Sequence, residues 1–137
     1  MLFKLDDGAY KPDRAHKTDA GIDLRARESK KVPAHGSAIF DTGVHVQMPV
    51  GTAGILVSKS GLNFKHGITS TGCIDAGYTG TISVRLDNCS DVDYVVNAGD
   101  KITQLVPVLL WFDPLIEIVD EIEGGERGEN GYGSTGK

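Results

Sequence analysis

The feature that most constrains the fold is a strict alternation of apolar and polar residues in short segments. In Thr81-Ile-Ser-Val-Arg-Leu-Asp87 every second residue is apolar, which predicts a strand with one buried and one exposed face. Similar alternation occurs over Ile22–Leu24 and Val44–Met48. Turn signals separate these segments at short intervals, and glycine alone accounts for 18 of the 137 residues. The pattern predicts an all-β domain, a sandwich, barrel or jelly roll, with at most one short helix.

Charge and hydropathy exclude several classes of function. The formal net charge of -5 argues against a nonspecific nucleic-acid binder, which needs a basic face. The longest apolar run, Val106–Phe112, is far too short to span a membrane, and Met1–Tyr10 lacks the apolar core of a signal peptide. Cys73 and Cys89 alone cannot form a zinc site or a disulfide framework. We therefore expect a cytoplasmic protein that binds neither nucleic acid nor membrane.

The last fourteen residues differ in composition from the rest of the chain. They contain almost no apolar side chain except Tyr132, so we predict a barrel domain over residues 1–123 and a flexible, glycine-rich segment over residues 124–137. Gly131–Lys137 fits most of a P-loop, but the final Ser/Thr is missing and no helix is predicted after it, which excludes a Walker-type NTPase. The segment is either a frayed terminus or a lid whose glycines let backbone N–H groups approach phosphate.

A first set of candidate residues has the chemistry of phosphate or metal binding. Lys59, Ser60 and Gly61 follow a predicted strand and combine a cation, a hydroxyl and a glycine in one turn. They form either a set of phosphate contacts or an ordinary surface turn. Asp23 supplies either a carboxylate near a metal or a buried polar cap, and Gln104 offers an amide donor on a strand.

A second candidate lies in the glycine-rich segment Gly72–Gly80, which we predict to be a hairpin. Asp75 follows an apolar pair and stands three residues before Tyr78. Asp75 is either a partly desolvated general base that orients a water molecule or a turn aspartate that accepts hydrogen bonds from its own backbone.

Five segments of the chain closely resemble, in order, the five motifs of the trimeric dUTPase (dUTP diphosphatase) family, in a style similar to bacterial or phage members. The resemblance covers nearly the whole chain from about residue 19. It implies a jelly-roll β-barrel, a homotrimer with exchanged C-terminal arms, and Mg²⁺-dependent hydrolysis of dUTP to dUMP and pyrophosphate. The segments are Ala20-Gly-Ile-Asp-Leu24, Ser58-Lys-Ser-Gly-Leu62, Gly72-Cys-Ile-Asp-Ala-Gly-Tyr-Thr-Gly80, Gly99-Asp-Lys-Ile-Thr-Gln-Leu105, and Arg127-Gly followed by Gly131-Tyr-Gly-Ser-Thr-Gly136.

The resemblance also implies a role for each residue of the third motif and for one residue of the first. Asp75 matches the aspartate that activates the attacking water, and Tyr78 matches the tyrosine that packs on the deoxyribose and excludes a 2′-hydroxyl. The backbone around Cys73, Ile74 and Asp75 would read the uracil edge in a hairpin too tight for the methyl group of thymine. Asp23 would hold Mg²⁺ through a bound water.

Phosphate binding is implied for the second, fourth and fifth motifs. The resemblance implies that one subunit supplies the first, second and fourth motifs, a second subunit the third, and the third subunit the fifth. Tyr132 would stack on the base while its neighbours close over the phosphates as a lid. The implied phosphate-side residues are Lys59, Ser60, Gly61, Gln104, Arg127, Gly133, Ser134 and Thr135.

The match has three departures and leaves two other functions open. The stretch Ile68-Thr-Ser-Thr71 is shorter than in some members of the family, which leaves the residue that contacts the base there unassigned. Lys59 stands where many members of the family have arginine, which keeps the charge but loses bidentate geometry. Thr81 stands where glutamate is common. The same fold also serves dCTP deaminases, and a regulator could use it to bind a protein partner. The complete glycine-rich fifth motif favours the diphosphatase.

Overall fold

Ten strands and one short helix form in the described part of this computed structural model, residues 1–111 and 116–122. In chain order they are β1 (Leu2–Leu5), β2 (Ile22–Arg25), β3 (Lys30–Val32), β4 (Ser37–Gln47), β5 (Thr52–Ser58), α1 (Ser60–His66), β6 (Ile68–Thr69), β7 (Thr71–Asp75), β8 (Thr81–Asn88), β9 (Tyr94–Val96) and β10 (Lys101–Leu109).

The strands form two four-stranded sheets and one two-stranded sheet, and every pairing is antiparallel. Sheet I has the order β1-β4-β8-β6, and sheet II has the order β2-β10-β5-β7. The small third sheet pairs β3 with β9. Strands that follow one another in sequence repeatedly change sheets, as in a jelly roll.

The core fills the space between the two large sheets. Sheet I contributes Phe40 and the alternating residues of β8, while sheet II contributes Leu24 and Leu105. The alternation along β8 buries Ile82, Val84 and Leu86, as the sequence pattern predicts. The expectation of an all-β, jelly-roll-like barrel with at most one short helix is therefore confirmed.

No helix within residues 1–111 and 116–122 is long and apolar enough to cross a membrane. The predicted boundary at residue 123 and the lid over residues 124–137 lie outside the described residues, so both stay predictions.

The segment after β5 is a helix and not the turn predicted from sequence. Ser60 begins α1, whose backbone closes through hydrogen bonds from Asn63 N to Lys59 O and from Gly67 N to Asn63 O, each at 2.9 Å. Gly67 ends the helix in the left-handed conformation, with φ of 65°. Leu62 packs against the core, and this tertiary contact supports a helix too short to be stable alone.

The segment between β7 and β8 is not the hairpin predicted from sequence. β7 pairs with β5 in sheet II, whereas β8 pairs with β4 and β6 in sheet I. The intervening residues 76–80, which we call the inter-sheet loop, therefore cross from one sheet to the other. Glycine and other turn-forming residues are expected both in a hairpin and in a loop that crosses between sheets, so they do not distinguish the two. The strands that pair with β7 and β8 do distinguish them, but these lie far away in sequence.

Candidate active site

Three adjacent strands of sheet II place the residues of the first, second and fourth motifs side by side. β10 pairs with β2 on one side and β5 on the other, and its Gln104 lies opposite Asp23 on β2 and Val57 on β5. β5 ends at Ser58 and is followed at once by Lys59. A single chain therefore brings Asp23, Lys59 and Gln104 together.

The Asp23 carboxylate is buried and paired with two lysines. Its Oδ1 accepts a hydrogen bond from Lys59 Nζ at 2.5 Å, and its Oδ2 accepts one from Lys101 Nζ at 2.6 Å. Burial by itself raises the pKa of Asp23, but the hydrogen bonds from Lys101 and Lys59 outweigh burial, so the net pKa lies below its ordinary value. Asp23 is thus ionised at neutral pH and fixes the position of both ammonium groups.

Lys101 belongs to this cluster although the sequence does not single it out. Lys101 and Gln104 are three residues apart, so a regular strand would point their side chains to opposite faces. The register of β10 shifts between Lys101 and Thr103, which sets Lys101 opposite Arg25. Arg25 shares a face of β2 with Asp23, so the bulge turns Lys101 toward the carboxylate.

Gln104 is held in place by its neighbours. Its Nε2 donates to Ser58 O at 3.3 Å, and its side chain lies so close over Gly21 that a Cβ at that position would overlap it. Gly21 therefore permits the position that Gln104 takes beside Ser58.

Ser60 and Gly61 lie exposed in the first turn of α1. A Cβ on Gly61 would meet no atom within 4 Å, so the packing of the described residues does not require a glycine. Alanine would favour the helix more.

Asp75 and Tyr78 line a second feature, a cavity of about 200 Å³. Cys73, Ile74 and Thr81 also border it, so the structure gathers the residues of the third motif in one place. Asp75 is exposed in the single chain, so these residues do not provide the partial desolvation that one of its two predicted interpretations, the general base, requires. Any atoms that shield its carboxylate from water must therefore come from outside the described chain.

The ring of Tyr78 is folded back over Gly80. A Cβ on Gly80 would lie 2.5 Å from the Tyr78 hydroxyl oxygen and 2.7 Å from Cζ, which no real contact allows. The Tyr78 hydroxyl donates to Thr81 O at 2.9 Å, and the Tyr78 N–H donates to Asp75 O at 3.1 Å. These contacts leave one face of the ring open, with 45% of the residue exposed.

The two groups of candidate residues lie at opposite ends of β5. Asp75 pairs with Ala53 near the start of the strand, whereas Lys59 follows Ser58 at its end. Ser58 lies five positions after Ala53 along the extended strand, which corresponds to about 17 Å at roughly 3.4 Å per residue. Within one chain, the carboxylate of Asp75 and the ammonium of Lys59 therefore do not meet in a single cavity.

A metal ion bound by Asp23 does not fit this geometry. Both carboxylate oxygens accept hydrogen bonds from ammonium groups, and within the described ranges no cluster of three or more His, Cys, Asp or Glu side chains is placed to hold a cation. Mg²⁺ prefers oxygen ligands and bound waters, without competing positive charge. The water-mediated role predicted for Asp23 stays a prediction that these contacts do not support.

The residues of the fifth motif cannot be placed. Arg127, Tyr132, Gly133, Ser134 and Thr135 lie outside the described residues, and their roles stay predictions.

The fold is a jelly-roll-like barrel. It has fixed cations at one end of a strand and a carboxylate beside an aromatic ring at the other. These are features of the class of all-β nucleotide hydrolases. A family model described as dUTPase matches residues 8–136 of the chain. The chain belongs to the dUTPase family.

Individual relatives agree with this assignment. A probable deoxyuridine 5′-triphosphate nucleotidohydrolase of Schizosaccharomyces pombe is 41% identical, over 99% of this chain and 97% of its own length. The corresponding protein of Clostridium acetobutylicum is also 41% identical, over 98% and 94%. Because fungal and bacterial relatives are equally similar, the bacterial or phage type stays a prediction.

Solved structures extend the likeness to the whole fold. A variant of the dUTPase of Staphylococcus bacteriophage 80alpha, solved with dUpNHpp, has a TM-score of 0.91 and 32% identity, and the match covers 99% of this chain and 98% of that one. A dUTPase variant from the S. aureus phage phi11, described as coordinating a structural Mg(II) ion, has a TM-score of 0.80 and 32% identity, over 88% and 96%.

Proposed function

We propose that this chain hydrolyses dUTP to dUMP and pyrophosphate, which lowers the level of dUTP and supplies dUMP for dTMP synthesis. The observation that carries the proposal is the cavity formed by Asp75 and Tyr78, in a chain that the dUTPase family model matches over residues 8–136. Since the substrate is an intracellular nucleotide, we place this activity in the cytoplasm.

Asp75 is the proposed catalytic base. Its carboxylate accepts a proton from a water molecule, whose oxygen then attacks the α-phosphorus as the bond to the bridging oxygen of the leaving pyrophosphate breaks. The exposure of Asp75 toward the cavity supports this role, because the carboxylate is free to receive a water. Negative charge on the phosphoryl oxygens grows during this step, so nearby cations stabilise the transition state.

Lys59 is the proposed phosphate-binding cation, together with Ser60, Gly61 and Gln104. Its ammonium group is fixed on Asp23, so little conformational entropy is lost when a phosphate binds. The chain is negatively charged overall, and local cations must therefore supply the attraction for a triphosphate. Mg²⁺ enters this proposal as part of the substrate, the magnesium complex of dUTP, and not as an ion held by Asp23.

Tyr78 and the backbone at Cys73–Asp75 are the proposed specificity elements. The open face of the Tyr78 ring supports packing on a deoxyribose, where a 2′-hydroxyl would clash. The backbone of β7 borders the same cavity and supplies the groups that would read the edge of uracil. A steric wall there would exclude the methyl group of thymine.

A homotrimer is proposed because one chain cannot complete the site. Asp75 and Lys59 lie at opposite ends of β5, so the third motif of one subunit would meet the cation cluster of another. The chain after β10 also exposes large apolar side chains such as Trp111, Ile116 and Ile118, each at least 94% exposed. Such exposure is typical of surfaces that become buried on assembly. Arg127 and the rest of the fifth motif would come from the third subunit.

The activity is tested by measuring pyrophosphate release from dUTP, dTTP, UTP and dCTP, each with and without Mg²⁺. We expect release from dUTP alone among the four, and a large loss of rate without Mg²⁺. Release of ammonia from dCTP would instead indicate a deaminase, and no release from dUTP would overturn the proposal.

The shared site is tested by mixing two inactive variants, Asp75→Asn and Lys59→Ala, after joint unfolding and refolding. If each site takes Lys59 from one subunit and Asp75 from another, about a quarter of the sites in random trimers regain both residues. A site built within one chain predicts no recovery. The two variants assembled separately and then mixed without refolding are the control.

A protein partner that regulates or is regulated by the chain is a second hypothesis. Phage dUTPases, with that of Staphylococcus bacteriophage 80alpha as the solved example, are described as controlling transfer of virulence genes by a proto-oncogenic G protein-like mechanism. That description favours testing for a partner here by pulldown with and without dUTP. A protein retained in one nucleotide state and not in the other would support the hypothesis.

A further inference from the structure

The inter-sheet loop, residues 76–80, lies between two cavities. One is the cavity of Asp75 and Tyr78 already described. The other, of about 170 Å³, is lined by β1 and β4 residues that include Lys4 and His45, and by Thr79 from the loop itself. Ala76 packs against the core at the start of the loop. Beyond it, at Tyr78 and Thr79, there is open space on both sides, so hydrogen bonds contribute to the position of this part of the loop.

Among the described residues, one side-chain hydrogen bond joins this loop to another strand. The bonds that Tyr78 makes to Asp75 O and Thr81 O are local to the loop and its ends. His45 on β4, by contrast, contacts Thr79 O through its Nδ1 at 2.8 Å. The residue that follows Tyr78 in the chain is thus held from outside the loop.

The second nitrogen of His45 also faces an acceptor. Its Nε2 lies 3.1 Å from Oδ1 of Asp6, which follows β1. A carbonyl and a carboxylate can only accept, so both contacts are hydrogen bonds only when both ring nitrogens carry a proton. The neutral ring has one N–H and must lose one of the two contacts.

We propose that His45 is a positioning residue that holds the inter-sheet loop, and through it Tyr78, in the geometry that selects a deoxyribose, and that this hold weakens as the imidazolium loses its proton. The proposal rests on the proposed function for its effect on substrates. The protonated ring bridges Asp6 and Thr79, whereas the neutral ring releases one of them within the pH range in which histidine titrates.

The charged groups that face His45 are Asp6 and Lys4, the latter its pairing partner on β1. From β8 the facing residue is the neutral Thr81. The loop contributes the Thr79 carbonyl, and the other ionisable groups nearby are Tyr78 in the loop and Asp75 just before it. The side chain of His45 is 19% exposed, so solvent protons reach it.

The test compares kcat/KM for dUTP with kcat/KM for UTP between about pH 5.5 and about pH 8, the range in which histidine titrates. Taking the ratio cancels pH effects that are equal for both substrates. In the wild type we expect the preference for dUTP to fall at least about threefold as pH rises across this range. A ratio that does not change with pH would overturn the proposal.

Two substitutions of His45 test its hydrogen bonds to Thr79 and to Asp6 separately. The amide nitrogen of Asn in His45→Asn can occupy the place of Nδ1 and donate to Thr79 O at every pH, so a high, constant preference is expected. In His45→Gln the amide reaches toward Asp6 instead, so a low, constant preference is expected. A His45→Gln variant as selective as the wild type near pH 5.5 would contradict the proposal. If this variant does not fold, the wild-type profile and His45→Asn still decide.

His35→Asn is the matched control, because His35 also pairs with an aspartate, Asp91 at 2.8 Å, but on the exposed surface away from the loop. It should behave as the wild type. Hydrogen exchange of a peptide covering residues 76–80, measured without nucleotide and corrected for intrinsic rates, should show protection that falls as pH rises in the wild type and in His35→Asn, but not in the two His45 variants. This measurement tests the hold of His45 even if dUTP is not the substrate.

Discussion

The Lys59 ammonium donates to the Asp23 carboxylate at 2.5 Å, although β5, which ends one residue before Lys59, does not pair with β2, which carries Asp23. β10 lies between them, and the contact spans its width. The buried carboxylate thus orients a cation at the end of a strand, where a mobile lysine would otherwise be free to point into solvent.

Replacing Asp23 with Asn should destabilise the protein near neutral pH. The substitution leaves the ammonium groups of Lys59 and Lys101 without their charged partner. Because each lysine side chain is about a quarter exposed, the unfolding free energy should fall by about 2 kcal/mol, less than for a fully buried pair. Denaturant unfolding at a fixed protein concentration measures it. Lys31→Ala, which removes an exposed partner of Asp93, is the control and should cost less than about 1 kcal/mol.

The same variant should show a characteristic dependence on pH. The pKa of Asp23 is lowered in the folded protein, so its stabilisation is complete above the pKa of the unfolded chain, near 4, and is lost as pH falls through the folded value. The difference between wild type and Asp23→Asn should therefore be full near pH 7 and shrink below about pH 4. A difference that grows in acid would contradict the assignment of charges.

Asp75→Asn should abolish pyrophosphate release and leave nucleotide binding intact. The amide cannot take a proton from water, and loss of a general base lowers kcat by a factor of about 100 to 10,000. Because Asp75 is exposed, stability should not change. Calorimetric titration with a non-hydrolysable dUTP analogue checks the binding, and Asp91→Asn, another exposed carboxylate, is the control. A near-normal rate would remove Asp75 from the mechanism.

Gly61→Ala should separate stability from function. Alanine meets no atom within 4 Å and suits a helix better, so the unfolding free energy should stay the same or rise by up to about 1 kcal/mol. If phosphate approaches the backbone here, the added methyl group should raise KM for dUTP by about tenfold, which corresponds to about 1.4 kcal/mol. Asn63→Ala, on the same helix, should leave KM unchanged.

Gly80→Ala should move the ring of Tyr78. The new Cβ would lie 2.5 Å from the Tyr78 hydroxyl, so the ring must leave its place, and the preference for dUTP over UTP should fall at least about tenfold. Gly77→Ala lies in the same loop, but its Cβ would meet nothing within 4 Å, so it should retain the preference. Equal behaviour of the two variants would mean that the ring position does not set the choice of sugar.

The sequence predicts the fold well because alternation is a local property. Ile82, Val84 and Leu86 are buried as their spacing requires. The inter-sheet loop could not be told from a hairpin, because its course depends on β7 pairing with β5 and β8 pairing with β4. Glycines permit both arrangements.

The residues of the candidate site could be predicted only where the sequence matches the family motifs. Asp23, Lys59 and Gln104 meet because their strands are neighbours, which the order of the motifs implies through the family. The sequence did not predict Lys101 as a member of the site, because a bulge reverses the direction of its side chain. A bulge is set by strand pairing and not by residue type. The sequence left the environment of Asp75 open between a partly desolvated base and a turn aspartate, because the exposure of a side chain depends on tertiary and subunit contacts that the local residues do not specify.

The length of β5 has a consequence for cells that carry two versions of the gene. If the third motif of one subunit serves the cation cluster of another, as proposed above, each subunit contributes to two different centres, and a copy defective at both Asp75 and Lys59 inactivates both of them. In random assemblies with an equal amount of normal copies, only about a quarter of the centres would draw both parts from normal chains. Such an allele would act as a dominant negative, with an effect greater than its share of the gene dose.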